Sequence, residues 1–284
     1  MWNLFKIYKL SKVVFEVPQE ERYQQLDANG EPRLDAIQAI YREMTYPQNF
    51  QVWRHMMKVS ERRPILWGTK WNDAKYFNEV VLSKITDKEY LMSLPANTVG
   101  AHLGNLFKSW DLNDLYTQRF TEDEARNGGS SFLGATDEMR VNLTRHMFTS
   151  HDLWHVLFRY DTKPLGEGCI QALSGQLGNA FSMTYVGWVV ALRTAWRHKS
   201  LEPFRIMKEA QELGRRALNA TTGGLIAHSP IEFLEYDIQE VREMFDIGVP
   251  VRYKKWVEAH PNESRLDTFH PEYQDVPWLK AQEI

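Results

Sequence analysis

The chain has 284 residues, of which 43% are hydrophobic and 13% aromatic, enough apolar material for a sizeable core and too much for a disordered chain. Lys and Arg number 34 against 37 Asp and Glu, a formal charge of −3, so the sequence lacks the positive balance on which nucleic-acid binding depends. Its single cysteine, Cys169, closes no internal disulfide, builds no cysteine zinc site and suits a reducing compartment.

Helical periodicity dominates in chain order, and alternating β-branched runs are scarce. In residues 1–15, Lys6, Lys9 and Lys12 share one face opposite Leu4, Ile7, Tyr8 and Phe15. That is the layout of a basic interfacial helix drawn to anionic lipid, or of an entry helix packed on the domain. The same segment lacks the unbroken apolar stretch and cleavage site of a secretory signal, so no export is expected. Core stripes follow at Leu34, Ile37, Tyr41 and Met44, and at Trp71, Ala74, Phe77 and Val81.

A long helix is predicted to open after Thr136, where Asp137 and Glu138 place negative charge in its first turn, and to run to about Arg159. Pro164 and Gly166 interrupt it. The next helix, from Glu167 to Leu192, carries no charge after Glu167. Gln171, Ser174, Gln176, Asn179, Ser182 and Thr184 are too many polar groups for lipid, so it reads as buried in protein rather than as a membrane span. A further helix spans Pro203 to Asn219, and Thr221-Thr222-Gly223-Gly224 breaks the chain. Ser229-Pro230-Ile231-Glu232 has the form of a helix start, with capping serine, proline at the first position and a closing glutamate. Phe233, Ile238, Val241 and Phe245 then give a stripe ending before Gly248 and Pro250. The expectation is all-α: one helical domain over residues 1–249, with an irregular C-terminal tail, 250–284, packed on it.

The chemistry-bearing stretch is His151-Asp152-Leu153-Trp154-His155, followed after eleven intervening residues by Glu167. Histidines four apart stack on one helix face, while Asp152 sits about 100° round from His151 and reaches the same point from the side. Glu167, just past the interruption, is delivered by the next helix. Trp154, Val156, Leu157 and Phe158 make the first helix largely apolar, and a buried carboxylate there calls for a cation. The predicted site is therefore a divalent-metal centre between two helices, with His151, Asp152, His155 and Glu167 as ligands. The competing reading is two ordinary histidines and a first-turn glutamate favoured by the helix dipole.

These four residues resemble, one for one, the His-Asp-x-x-His and spaced-glutamate motif of the coenzyme Q biosynthesis protein four family. Leu94-Pro95-Ala96-Asn97-Thr98-Val99-Gly100 is similar to the segment that precedes a helix in that family. Gly214-Arg215-Arg216-Ala217 and the stretch Glu235 to Ile247 are similar to its last two helices, so residues 33–248 are covered. The turn before His151 departs from the family, with His146 and Phe148 where arginines are usual, and Asn179-Ala180-Phe181 stands near a usual Gly-Leu-Pro step.

The resemblance implies ubiquinone biosynthesis: removal of the carboxylate from ring carbon one of a prenylated hydroxybenzoate, with a hydroxyl put in its place. It also implies zinc as the metal, although two histidines with carboxylates equally suit iron or manganese. Asp152 and Glu167 are the candidate proton-transfer groups. Gly175, Gly178, Ser182 and Gly187 are small residues that leave a groove for an isoprenoid tail or let helices pack tightly. Arg215 and Arg216 are candidates to hold an oxyanion, or form a solvated face. The expected partners are a prenylated quinone precursor, other ubiquinone biosynthesis proteins and a membrane surface, with no nucleic acid and homodimerisation left open. The expected setting is peripheral, on the cytoplasmic face of a bacterial inner membrane, or on the matrix side of the mitochondrial inner membrane in a eukaryote.

Two other classes remain open. One is a non-catalytic prenyl-lipid-binding scaffold ordered by the ion. The other is a His-Asp phosphohydrolase, which needs a further histidine, His102 or His146, and a downstream aspartate, Asp237.

Overall fold

The computed structural model describes residues 7–9, 11, 76–107, 137–178, 181–221 and 224–261. The stripe at 34–44, Trp71 and Ala74, and Lys6 and Lys12 of the basic face lie outside the described residues. A π-helical turn (Phe77–Leu82) leads into α1 (Ser83–Thr86), α2 (Lys88–Ser93) and α3 (Val99–Phe107). Then come α4 (Asp137–Phe158), α5 (Pro164–Leu177), α6 (Phe181–His198), α7 (Glu202–Asn219), a 3₁₀ turn (Leu225–Ala227), α8 (Ile238–Met244) and α9 (Val251–Ala259). Among the described residues there is no strand beyond an isolated bridge between Thr98 and Asp237. One apolar core runs from Ile85 of α1 to Trp256 of α9, so the fold is all-α. None of these helices is long and apolar enough to cross a membrane.

The long helix and the 202–219 helix form where their start signals place them. The uncharged stretch instead divides in two. The α5 helix begins at Pro164, which supplies the first-turn proline, and ends at Gly178; α6 starts at Phe181. Gly168 faces Val190 and Ala172 faces Gly187, so α6 runs back antiparallel along α5. A Cβ on Gly187 would lie 2.7 Å from the Gly168 carbonyl oxygen, and one on Gly168 2.8 Å from Val190. Here the small residues serve close backbone approach. Met207 and Gly214 of α7 meet Gly168 and Leu173 respectively, placing α7 parallel to α5, and Met207 also reaches Gly187 of α6. Gly175 is buried within α5, and the side chain of Ser182 lies outside the described residues.

The Ser229 start signal does not open a helix. Residues 230–236 form turns, and α8 starts at Ile238, capped by Asp237, whose carboxylate accepts from the N–H groups of Gln239 and Glu240. The reason is long-range pairing: the carbonyls of Leu234 and Tyr236 receive the N–H groups of Gly100 and Val99 at the start of α3. Those bonds satisfy the α3 terminus and take carbonyls that a helix continuing from Pro230 into residues 238–240 would need. Glu232 meanwhile bonds His228 Nδ1 at 2.9 Å. The C-terminal stretch also differs from expectation, since Val251–Ala259 is helical, with Tyr253 and Trp256 buried one turn apart. At the other end, Ile7 is buried, Tyr8 and Lys9 are exposed, and Ser11 Oγ lies 2.7 Å from the Tyr185 hydroxyl of α6.

Candidate metal centre

The last turns of α4 are apolar nearly all round: Leu153, Trp154, Val156, Leu157 and Phe158 are all buried. Within them His155 is fully enclosed, while His151, one turn earlier on the same face, keeps 23% of its side chain exposed. After Phe158 the chain reverses through Arg159, which sits in the left-handed region at φ 61°. Pro164 then starts α5 and puts Glu167 in its first turn.

Three of the four predicted ligands converge. His151 Nε2 and His155 Nε2 are 3.1 Å apart. One Glu167 carboxylate oxygen lies 3.3 Å from His151 Nε2, and the other 3.4 Å from His155 Nε2. Ligands about 2.0–2.1 Å from a tetrahedral zinc ion are separated by roughly 3.3 Å, so this donor set has the spacing of such a coordination edge. His151, His155 and Glu167 could therefore hold a metal ion. The fourth predicted ligand, Asp152, is buried but stands outside this cluster of donor atoms. Its position on the helix, one residue from His151, turns it aside from the shared face, although its charge still reaches His155.

Electrostatics fit the same reading. Burial works against a charged His155, yet Glu167, then Asp152, and the Tyr160 carbonyl together raise its pKa above the ordinary histidine value. Burial likewise opposes ionisation of Glu167, but the two imidazoles hold it well below the usual carboxylate range. The pocket thus stabilises an anion that requires a neighbouring positive charge, either a proton on imidazole or a metal in its place.

His155 Nδ1 donates to the Tyr160 carbonyl at 2.9 Å, which leaves Nε2 as the lone-pair atom facing His151 and Glu167. Sequence reasoning missed this acceptor because it is a backbone atom. It also missed the crowding at Gly166, where a Cβ would lie 2.1 Å from the Asp161 carbonyl oxygen and 2.7 Å from the Tyr253 hydroxyl. Gly166 is a point of close approach inside α5 rather than a helix breaker.

The remaining candidates are engaged elsewhere. Arg215 pairs with Glu212 on its own helix and Arg216 with Asp246, all four side chains well exposed. Asp237 caps α8 and accepts from Asn97. His146 Nε2 is 2.8 Å from the Ile226 carbonyl, and Ser150 Oγ is 3.3 Å from its Nδ1. None of Asp237, His102 and His146 joins the three-residue cluster, so the phosphohydrolase constellation does not assemble around it among the described residues.

Burial pushes His146 down to about 4 from 6.5. A histidine held neutral in the fold but free to protonate when unfolded contributes stability above pH 6.5 that is lost as the pH falls towards 4, up to about 3 kcal/mol. Urea melts of wild type should thus weaken between pH 7 and 4.5 more than those of His146→Gln, which keeps a donor for Ile226. Equal pH slopes would show that other groups govern acid lability.

No protein-family model and no curated protein matches this chain. Among solved structures, a protein from Nostoc punctiforme PCC 73102 described as a "putative ubiquinone biosynthesis protein" superposes with a TM-score of 0.50 at 15% identity, covering 87% of this chain and 100% of that one. The likeness is one of fold.

Proposed function

We propose that this chain is a metal-dependent enzyme of ubiquinone biosynthesis that exchanges the carboxylate on ring carbon one of a prenylated hydroxybenzoate for a hydroxyl. The observation that carries the reading is the convergence of His151, His155 and Glu167 with donor atoms 3.1 to 3.4 Å apart. The Nostoc punctiforme fold likeness and the motif resemblance support the pathway.

Two histidines and one carboxylate are the donor set of catalytic zinc sites, which keep a position free for water or substrate, whereas structural sites are closed by four thiolate or imidazole ligands. When bound, the ion supplies Lewis acidity that stabilises negative charge developing on a substrate oxygen. His151 and Glu167 form the partly exposed side of the centre, where a substrate carboxylate enters; His155 forms its closed inner wall. Asp152, buried one residue from His151, holds or moves the proton that the ring chemistry requires. In balance, the carboxylate leaves as carbon dioxide, one atom of dioxygen becomes the new hydroxyl, and the other leaves as water, with two electrons from an external reductant and three protons taken up.

Asp152→Asn should keep the metal and the fold while lowering turnover about 10²-fold or more, the usual contribution of a positioned acid or base. The assay is conversion of a prenylated hydroxybenzoate by purified protein, supplied with zinc, iron or manganese, oxygen and a two-electron reductant. Full conversion by metal-loaded Asp152→Asn would remove Asp152 from the chemistry. If wild type converts nothing under any of these conditions, the ion orders a lipid-binding scaffold instead. The membrane surface and the other biosynthetic proteins belong to the same proposal as its setting and partners.

A further inference from the structure

The α9 helix supplies no member of the His151, His155 and Glu167 cluster, yet it closes on the turn that orients the centre. Its N-terminus is fixed to α7, because the Glu209 carboxylate accepts from the backbone N–H groups of Arg252 at 3.0 Å and Tyr253 at 3.2 Å. That places the Tyr253 ring, buried, edge-on to the Tyr160 ring with centroids 4.9 Å apart. The Tyr253 hydroxyl stands beside the fully buried Asp161, the two meeting where a Cβ on Gly166 would lie.

From Asp161 two short paths lead to the metal ligands. Its Oδ1 accepts from the Lys163 N–H at 2.9 Å, and the Lys163 carbonyl accepts from the Glu167 N–H at 2.9 Å, which opens α5. In the other direction, the peptide carbonyl joining Tyr160 to Asp161 is the acceptor for His155 Nδ1. The turn between α4 and α5 thus sets both the tautomer and tilt of one ligand and the helix register of another. Gly166 leaves no slack there, since the Asp161 carbonyl, its carboxylate and the Tyr253 hydroxyl all lie within 2.7 Å of where a Cβ would stand.

We propose that Tyr253 is a positioning residue for the metal centre, holding Asp161 so that the Tyr160 carbonyl and α5 present His155 and Glu167 to one ion. The proposal rests on the metal reading above. Groups that fix a metal-bound histidine from behind typically change metal affinity 10- to 100-fold when lost, through orientation rather than contact. Loss of the hydroxyl alone should therefore loosen the ion while leaving the aromatic packing in place.

The test uses the full chain and cobalt(II) as a visible probe, with affinity taken by competition against a chelator. Tyr253→Phe should bind cobalt at least about 10-fold more weakly and alter its d–d bands, at a temperature where circular dichroism shows the fold intact. Asp161→Ala serves if Tyr253→Phe does not fold, and Asp161→Asn, which keeps an acceptor for Lys163 and Tyr253, should recover most of the affinity. Unchanged affinity and bands in Tyr253→Phe would overturn the proposal. If wild type itself binds no cobalt, the metal reading fails and the His155 Nδ1 proton in nuclear magnetic resonance spectra of metal-free protein decides. Its loss or displacement in Tyr253→Phe supports positioning by Tyr253, and an unmoved signal refutes it.

Discussion

Replacing Arg242 with methionine should lower stability by about 3 kcal/mol or more, although Arg242 lies far along the chain from the centre. Its guanidinium is buried and donates from Nε to the Leu157 carbonyl and from Nη2 to the Val156 carbonyl, both at 3.0 Å. These belong to the last turn of α4, where carbonyls have no partner within the helix and the dipole favours a cation. Methionine fills similar space but leaves two buried carbonyls without that donor, at about 1–3 kcal/mol each. Lysine should not restore them, because one ammonium cannot reproduce a planar fork. Thermal melts should show Tm lower by several degrees for both variants. A melting curve unchanged by Arg242→Met would mean that the turn is held by other contacts.

The largest effect on binding should come from His155→Ala. His155 is the buried member of the proposed ligand set, fixed from behind by the Tyr160 carbonyl, and its removal leaves His151 and Glu167, both open to solvent on one side. Losing a group that merely orients a ligand already costs 10- to 100-fold in affinity, so deleting the ligand should cost at least about 10²-fold. Glu167 would also lose one of the two imidazoles that hold its carboxyl ionised. The fold should survive, since the α4 core residues around the position remain. Zinc or cobalt competition binding on the two proteins measures the difference, and affinities within a few fold would rule out His155 as a ligand.

The centre was legible because its signal is local. Histidines four apart share a helix face wherever the helix sits, and an apolar helix ending shortly before Glu167 leaves the chain little choice but to turn back. The α4 and α7 boundaries were legible for a similar reason, through charge at Asp137 and Glu138 and proline at Pro203. Where a local signal competed with distant pairing it misled. Ser229 and Glu232 look like a capping box, but α3 claims the carbonyls of Leu234 and Tyr236, and Asp237 caps the helix instead. The uncharged stretch offered no strong break, because Gly178 ends α5 without a proline, and only the antiparallel fit of Gly168 and Gly187 shows two helices. Tyr253 was invisible for the deepest reason. Its partners Tyr160 and Asp161 lie more than ninety residues earlier, and no periodicity links positions that meet only in the folded chain.

Asp152 marks the limit of reading ligands from spacing. Its neighbour on the helix faces the shared point, and the 100° step carries Asp152 aside; burial and charge keep it close enough to act on His155 without entering the three-residue cluster. Under the proposed function, the two histidines and Glu167 would hold the ion and Asp152 would serve proton transfer from beside them.

The most direct measurement is the metal content of purified full-length protein beside His155→Ala, both equilibrated with zinc, iron(II) or manganese(II), desalted and analysed by elemental mass spectrometry. Wild type should carry one divalent ion per chain for at least one of these metals, and His155→Ala almost none, with matching circular dichroism. Equal content in the two proteins, or a wild type that retains none of the three metals, would contradict a metal centre at His151, His155 and Glu167.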